Sequence, residues 1–230
     1  MDSVRRALID TVYRWQEPLV RAVSRLIPAD VLWYVDVRVP VFALTFDDGP
    51  DPHTTPGLLE ALAAHRARAT FFLIGERVQV HPELVAAIVA GGHEIGNHMM
   101  RDEVSARQSE AAFRDDLART AELLAPYAPV RWFRPGSGWF TPRMLRTAAA
   151  QGLHAVLGTL VAAHRGGPAD ARIGPRLLAG IRPGSIVVLH EGSAKRAGVA
   201  GTTDWLLGAL AAKGLSAVSV SALAGRQVRP

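Results

Sequence analysis

The segment Phe42–Pro50, FALTFDDGP, decides how the chain is read. The apolar run Phe42–Phe46 reads as a strand, and it ends on two carboxylates, Asp47 and Asp48, followed by Gly49-Pro50. Adjacent residues at a strand end point in different directions, so the two can take separate tasks, one binding a metal ion and the other acting as a base. In isolation the same residues read equally well as a strand followed by an ordinary Asp-Gly-Pro turn. The rest of the chain decides between these readings.

Working outward, six further runs have strand character: Ala69–Ile74, His93–Asn97, Arg131–Arg134, His154–Thr159, Ser185–His190 and Leu215–Val220. Helical patterns at Pro56–Ala64, Pro82–Ala90, Ala106–Leu124 and Trp205–Ala212 lie between them. This alternation predicts repeated βα units around a parallel sheet, and from it a barrel. In such barrels the active site is built at the carboxyl ends of the strands. Here FALTF runs into Asp47-Asp48, HEIGN into His98, WF into Arg134 and SIVVL into His190, with Thr159 closing a fifth strand.

The 230 residues, 49% hydrophobic and 20% charged, suit one large domain with a sizeable core. With no cysteine, any metal site must be made of His and carboxylates. The net charge of +5 comes without a recognised nucleic-acid-binding module, so no nucleic-acid partner is expected. No apolar run reaches the roughly 18 residues that a membrane span needs. No signal peptide is recognised at the start, which gives a cytoplasmic location, or one peripheral to the inner membrane.

Residues 1–39 read as an amphipathic helix and lead-in, and residues 40–230 as the catalytic domain. In the helix, Val4, Leu8, Val12, Trp15, Leu19, Val23 and Leu26 recur at intervals of four or three, with a bend expected at Pro18. Arg5, Arg6, Arg14, Arg21 and Arg25 occupy the other faces. Packing of the apolar stripe against the domain is the favoured expectation, and contact with a membrane surface is the alternative.

If the chain turns helical after the strand that ends at Asn97, His98 and Asp102 fall four apart on one face, within reach of one ion. With Asp48 they would make a facial set of one imidazole and two carboxylates, leaving positions open for water and substrate. The competing roles are a structural His98, as expected for His93, and Asp102 as cap of a helix starting near Val104.

The segments TFDDGPDPHTTPGLL, ATFFLIGERV, HEIGNH, FRPGSG and GSIVVLH follow one another as do the motifs of the polysaccharide deacetylases, the family 4 carbohydrate esterases with a nodulation-type deacetylase domain. The chain resembles that family from about Ala43 to Val220. The resemblance implies a distorted (β/α)7 barrel preceded here by the N-terminal helix. It makes Asp47 the general base, Asp48 and His98 metal ligands, and His190 the general acid. Arg134 would pair with Asp47 and hold it ionised. The oxyanion donor would be the amide of Ser137 between Gly136 and Gly138, with Trp139 or Phe140 as an apolar wall by the substrate. The implied cofactor is a divalent cation, zinc first and cobalt, nickel or manganese after it.

Two places depart from the family pattern. Asp102 stands where a second histidine is usual, and as a carboxylate it can still ligate. The acidic residue that would orient His190 is missing from Leu157–His164, LGTLVAAH, leaving Asp170 as candidate and His164 as a weaker one. The expected activity is removal of an acyl group, acetyl first, from an N-acylated amino sugar in a polysaccharide or glycoconjugate. The alternatives are a deacylase or deformylase of a lipid-linked sugar at the membrane surface and a non-catalytic sugar-binding descendant.

Overall fold

The computed structural model describes residues 16–26, 31–162 and 173–227. A short helix, α1 (residues 16–24), precedes the sheet. The strands are β1 (Val31–Leu32), β2 (Val41–Gly49), β3 (Thr70–Leu73), β4 (Glu94–Asn97), β5 (Trp132–Phe133), β6 (His154–Val156), β7 (Leu160–Val161), β8 (Ile186–His190) and β9 (Ser216–Val218). Between and after them lie α2 (Thr55–Ala64), α3 (Gly75–Val80), α4 (Pro82–Ala90), α5 (Glu110–Leu124), α6 (Pro142–Ala150), α7 (Ile173–Gly180), α8 (Val199–Ala211) and α9 (Val220–Ala224). The strand order is β1-β6-β5-β4-β3-β2-β8-β7, with β9 also beside β2, and every pairing is parallel. This is the curled parallel sheet of a distorted βα barrel, as expected.

Strand β2 shows how the sequence builds it. Phe42, Leu44 and Phe46 point outward and pack with Leu58 and Leu62 of α2 and Leu206 and Leu210 of α8. Val41 and Ala43 point inward, toward Phe72, Val156 and Ile186. The period of two therefore sends Thr45 and Asp47 to the barrel interior. Burying a phenylalanine or leucine side chain contributes roughly 1.5–3 kcal/mol, so the outward row alone is a strong determinant of register.

All seven expected strands are present, with two differences. The run His154–Thr159 is not one strand: the chain bends after β6, Leu157 N donates to Leu32 O (2.9 Å) and Thr159 N to Ile186 O (2.9 Å), and β7 then pairs with β8. This crossing closes the barrel between its two edges. Gly158 permits it, because a Cβ there would lie 2.4 Å from Val188 Cγ2. Strand β1, only two residues long, had no periodic signal to betray it. Among the helices, the expected Ala106–Leu124 breaks into a 3-10 turn (Ser105–Arg107) and α5, whose start is capped by Ser109 Oγ accepting from Ala112 N at 3.2 Å.

Helix α1 departs from the packing expectation. Glu17 is its buried residue, whereas Leu19, Val23 and Leu26 are exposed. The upstream part of that stripe, from Val4 to Trp15, lies outside the described residues. No helix among the described residues is long and apolar enough to cross a membrane.

Candidate active site

Four strand ends converge on a cavity of about 520 Å³ lined by Asp47, Asp48, His98, Asp102, Arg134, Ser137 and His190, among others. Asp47 arrives by the alternation of β2. Asp48 would face away on a regular strand, but it takes φ 71° and the pairing with β3 slips between Asp47 and Gly49. The bulge turns the second carboxylate toward the same cavity. The carbonyl of Asp48 accepts from Arg77 Nη1 at 2.7 Å, and Arg77 also donates to Gly192 O. A Cβ on Gly192 would lie 2.2 Å from that carbonyl, so glycine is required where the loop after β8 meets the bulge.

Arg134 is buried and fixes Asp47. Its Nη1 donates to Asp47 Oδ1 at 2.5 Å and to Thr45 Oγ1 at 2.8 Å, its Nε donates to Val156 O at 3.1 Å, and its guanidinium lies 4.1 Å over the Phe72 ring. Burial lowers the Arg134 pKa, opposed by Asp47, but a guanidinium stays charged. A buried ion pair of this kind is held in place by geometry and satisfied hydrogen bonds.

Beside it, His98 Nε2 lies 3.1 Å from Asp48 Oδ1, and His98 Nδ1 lies 2.8 Å from Arg134 O. A carbonyl can only accept, so Nδ1 carries a proton and Nε2 is the nitrogen turned to Asp48. Burial alone would lower the His98 pKa, but Asp47, Asp48 and the Arg134 carbonyl hold it above its ordinary value. Burial would likewise raise Asp48, yet His98, His190 and Arg196 keep it well below the usual carboxylate range. A divalent cation fits this pair, since it would take the place of the Nε2 proton against an ionised carboxylate, with the Arg134 carbonyl fixing the tautomer.

The third donor is placed differently from expectation. Residues 98–104 are not helical, Met99 takes φ 68°, and Asp102 is exposed at the cavity wall. The four-residue spacing therefore does not bring His98 and Asp102 onto one helix face, and among the described residues no three metal-ligating side chains cluster. Asp102 caps no helix either, because the 3-10 turn starts after Val104. Instead Arg196 donates to Asp48 Oδ2 at 2.6 Å and to Glu191 O at 2.5 Å. Sequence reasoning missed Arg196, which sits in EGSAKRAG without any motif signal.

His190 ends β8 and lines the cavity, and its buried Nδ1 has no partner among the described residues. Both candidates for orienting it, Asp170 and His164, lie outside the described residues. Ser137 lines the cavity at φ 62°. The flanking amides are committed, Gly136 N to Ser105 Oγ (2.9 Å) and Gly138 N to Pro135 O (3.1 Å). Trp139 is 69% exposed and is not part of the cavity wall, while Phe140 packs edge-on against Trp33, which is. His93 is structural, as expected: its Nδ1 accepts from Ala69 N at 3.3 Å and its ring meets Phe71 edge-on.

Glu191, next to His190, was not foreseen. It is fully buried, accepts from Thr54 Oγ1 (3.0 Å) and Thr55 Oγ1 (2.6 Å), and its Oε1 is unpartnered among the described residues. Burial pushes its pKa up to about 7.

A parallel βα barrel with a guanidinium-held carboxylate beside a histidine–carboxylate pair at its strand ends has the framework of a barrel hydrolase. The chain belongs to the polysaccharide deacetylase family: residues 35–156 match the family model described as polysaccharide deacetylase. It is 41% identical over 152 residues to a chitooligosaccharide deacetylase of Bradyrhizobium, covering 65% of this chain and 69% of that protein. It is 34% identical to a peptidoglycan-N-acetylglucosamine deacetylase of Bacillus cereus, covering 84% and 92%. Among solved structures, a peptidoglycan N-acetylglucosamine deacetylase superimposes with a TM-score of 0.78 at 30% identity, over 85% of this chain and 92% of that one. A family 4 acetyl xylan esterase from Clostridium thermocellum, in complex with a cobalt ion, superimposes with a TM-score of 0.73 at 28% identity, over 80% and 89%.

Proposed function

We propose that the protein is a divalent-metal-dependent deacetylase that hydrolyses the acetamido group of N-acetylated amino sugars within a glycan. The observation that carries this reading is the meeting of two pairs, Arg134–Asp47 and His98–Asp48, with His190 around one cavity. The named relatives act on such sugars, which supports the substrate class.

Asp48 and His98 would hold the cation, with Asp102 on the same cavity wall as third donor. When bound, the ion supplies Lewis-acid polarisation of the amide carbonyl and acidifies water. Asp47, oriented by Arg134, takes a proton from the attacking water as its oxygen bonds to the carbonyl carbon. The Ser137 amide donates to the oxygen that becomes negative. His190 then gives its proton to the nitrogen as the carbon–nitrogen bond breaks, releasing acetate and a free amine. Zinc, with its tolerance of nitrogen and oxygen ligands, is the proposed metal.

The test is incubation of the chain with an N-acetylglucosamine oligomer, measuring acetate and free amine with and without a chelator. Chelator-sensitive release supports the reading. No release with zinc, cobalt, nickel or manganese would overturn it. Cleavage of acetylated xylan without amide cleavage would move it to an ester substrate. A second reading, a non-catalytic sugar-binding descendant, is favoured by Arg196 on Asp48 and by the absence of a three-residue ligand cluster among the described residues. Sugar binding without acetate release in the same assay would select it.

A further inference from the structure

Helix α1 is turned inside out relative to an ordinary surface helix. Its inward side is polar: Glu17 pairs with Arg21 and accepts from Ser185 Oγ at 3.2 Å, and Arg21 Nη2 donates to Pro183 O at 2.8 Å. Arg21 also lies 4.5 Å over the Tyr34 ring, and Arg25 Nε donates to Tyr34 Oη at 2.9 Å. The outward side of α1 and the turn after it is formed by Pro18, Leu19, Ala22, Val23 and Leu26, all exposed, with the likewise exposed Arg25 bonded to Tyr34. Leu19 is 61% exposed and Leu26 82%. A soluble helix normally shows the opposite arrangement, and clustered exposed apolar side chains mark an interaction surface.

The sequence says what kind of surface. Val4, Trp15 and Leu26 are spaced by 11 residues, as are Leu8 and Leu19, and Val12 and Val23. An 11-residue repeat corresponds to about 3.67 residues per turn and is not the seven-residue repeat of a left-handed coil with a second copy. The segment 1–26 holds five arginines against three acidic residues, in a chain of net charge +5, so the complementary surface is anionic.

We propose that α1 and the turn after it dock the protein onto an anionic lipid surface through Leu19, Val23 and Leu26. The helix is fastened at Ser185 and Pro183, at the amino end of β8, whereas His190 sits at its carboxyl end about 16 Å away. Docking through α1 therefore ties the barrel at the amino end of β8.

The test is co-sedimentation of the full chain with vesicles of phosphatidylcholine, with and without phosphatidylglycerol. A variant carrying Leu19→Glu, Val23→Glu and Leu26→Glu is run beside it, and circular dichroism and melting confirm that the exposed substitutions leave the fold intact. The expected result is pelleting with phosphatidylglycerol vesicles that weakens with salt and falls by at least about tenfold in the variant. Wild-type protein that stays in the supernatant, or a variant that pellets equally, overturns the proposal. So does light scattering that finds a dimer dissolved by the same substitutions without vesicle binding, which would give the face to a second copy.

Discussion

Arg134 joins the two halves of the candidate site: its side chain holds Asp47 and its carbonyl holds His98. Arg134→Lys keeps the charge but loses the planar fork that reaches Asp47, Thr45 and Val156 together. Leaving a buried pair mispositioned costs about 3–5 kcal/mol when a partner is lost outright. The lysine variant should therefore lose at least about 1 kcal/mol in denaturant unfolding and at least about tenfold in kcat, with KM changed less, because in the proposed mechanism Asp47 acts on water rather than on sugar binding. Glu191 gives a pH signature. Its folded pKa of about 7 lies above the unfolded value near 4.5, so the folded state holds its proton more tightly. The associated stability is complete below pH 4.5, declines as pH rises to about 7 and is absent above, a loss of up to about 3 kcal/mol. Unfolding free energies at pH 5 and pH 7.5 should show this decline for wild type and not for Glu191→Gln; equal slopes would place the proton elsewhere. Asp47, Asp48, His98, Arg134 and His190 were legible because each ends a strand, where the chain pattern and the chemistry coincide. Arg196 and Glu191 were not, since nothing in their local sequence says that the loop after β8 folds back onto the β2 bulge.

At the scale of elements, the segment after β4 is where sequence reasoning and structure part. Spacing His98 and Asp102 four apart is informative only on a helix, and the left-handed Met99 breaks the chain out of one. Gly136 helps to determine what happens instead: a Cβ there would lie 1.9 Å from Glu103 O, so the loop after β5 and the segment after β4 are pressed together. Such a contact between distant segments has no signature in either one. If Asp102 is the third donor, Asp102→Ala should weaken zinc binding by at least about tenfold in calorimetric titration, whereas unchanged affinity would remove it from the ligand set. Arg196 works in the opposite sense. Its guanidinium occupies Asp48 Oδ2, so Arg196→Met should strengthen zinc binding by about tenfold, which is about 1.4 kcal/mol of relieved charge competition. The strands were legible from their apolar runs, but the break between β6 and β7 depends on how closely Gly158 passes Val188, a packing fact.

At the scale of the whole molecule, the edges of the barrel are joined, among the described residues, by two thin devices: the crossing from β6 to β7 and the antiparallel bridge of Tyr34 with Ser185. Neither is a long strand pair, so ties across the cavity matter to global stability. A cation held by Asp48 and His98 would join the carboxyl end of β2 to that of β4, through groups that exist together only in the folded chain. Ligand binding to the folded state alone stabilises by roughly 2.7 kcal/mol at a hundredfold excess over Kd. For a chain of this length each kcal/mol moves Tm by about 2–4 °C, so zinc at that excess should raise Tm by roughly 5–11 °C. Asp48→Asn should abolish the shift, because it removes the charge the cation needs while keeping the size of the side chain. A wild-type Tm indifferent to zinc, cobalt, nickel and manganese would mean that the histidine–carboxylate pair is held by its own proton and by Arg196, and that the fold does not couple to a metal.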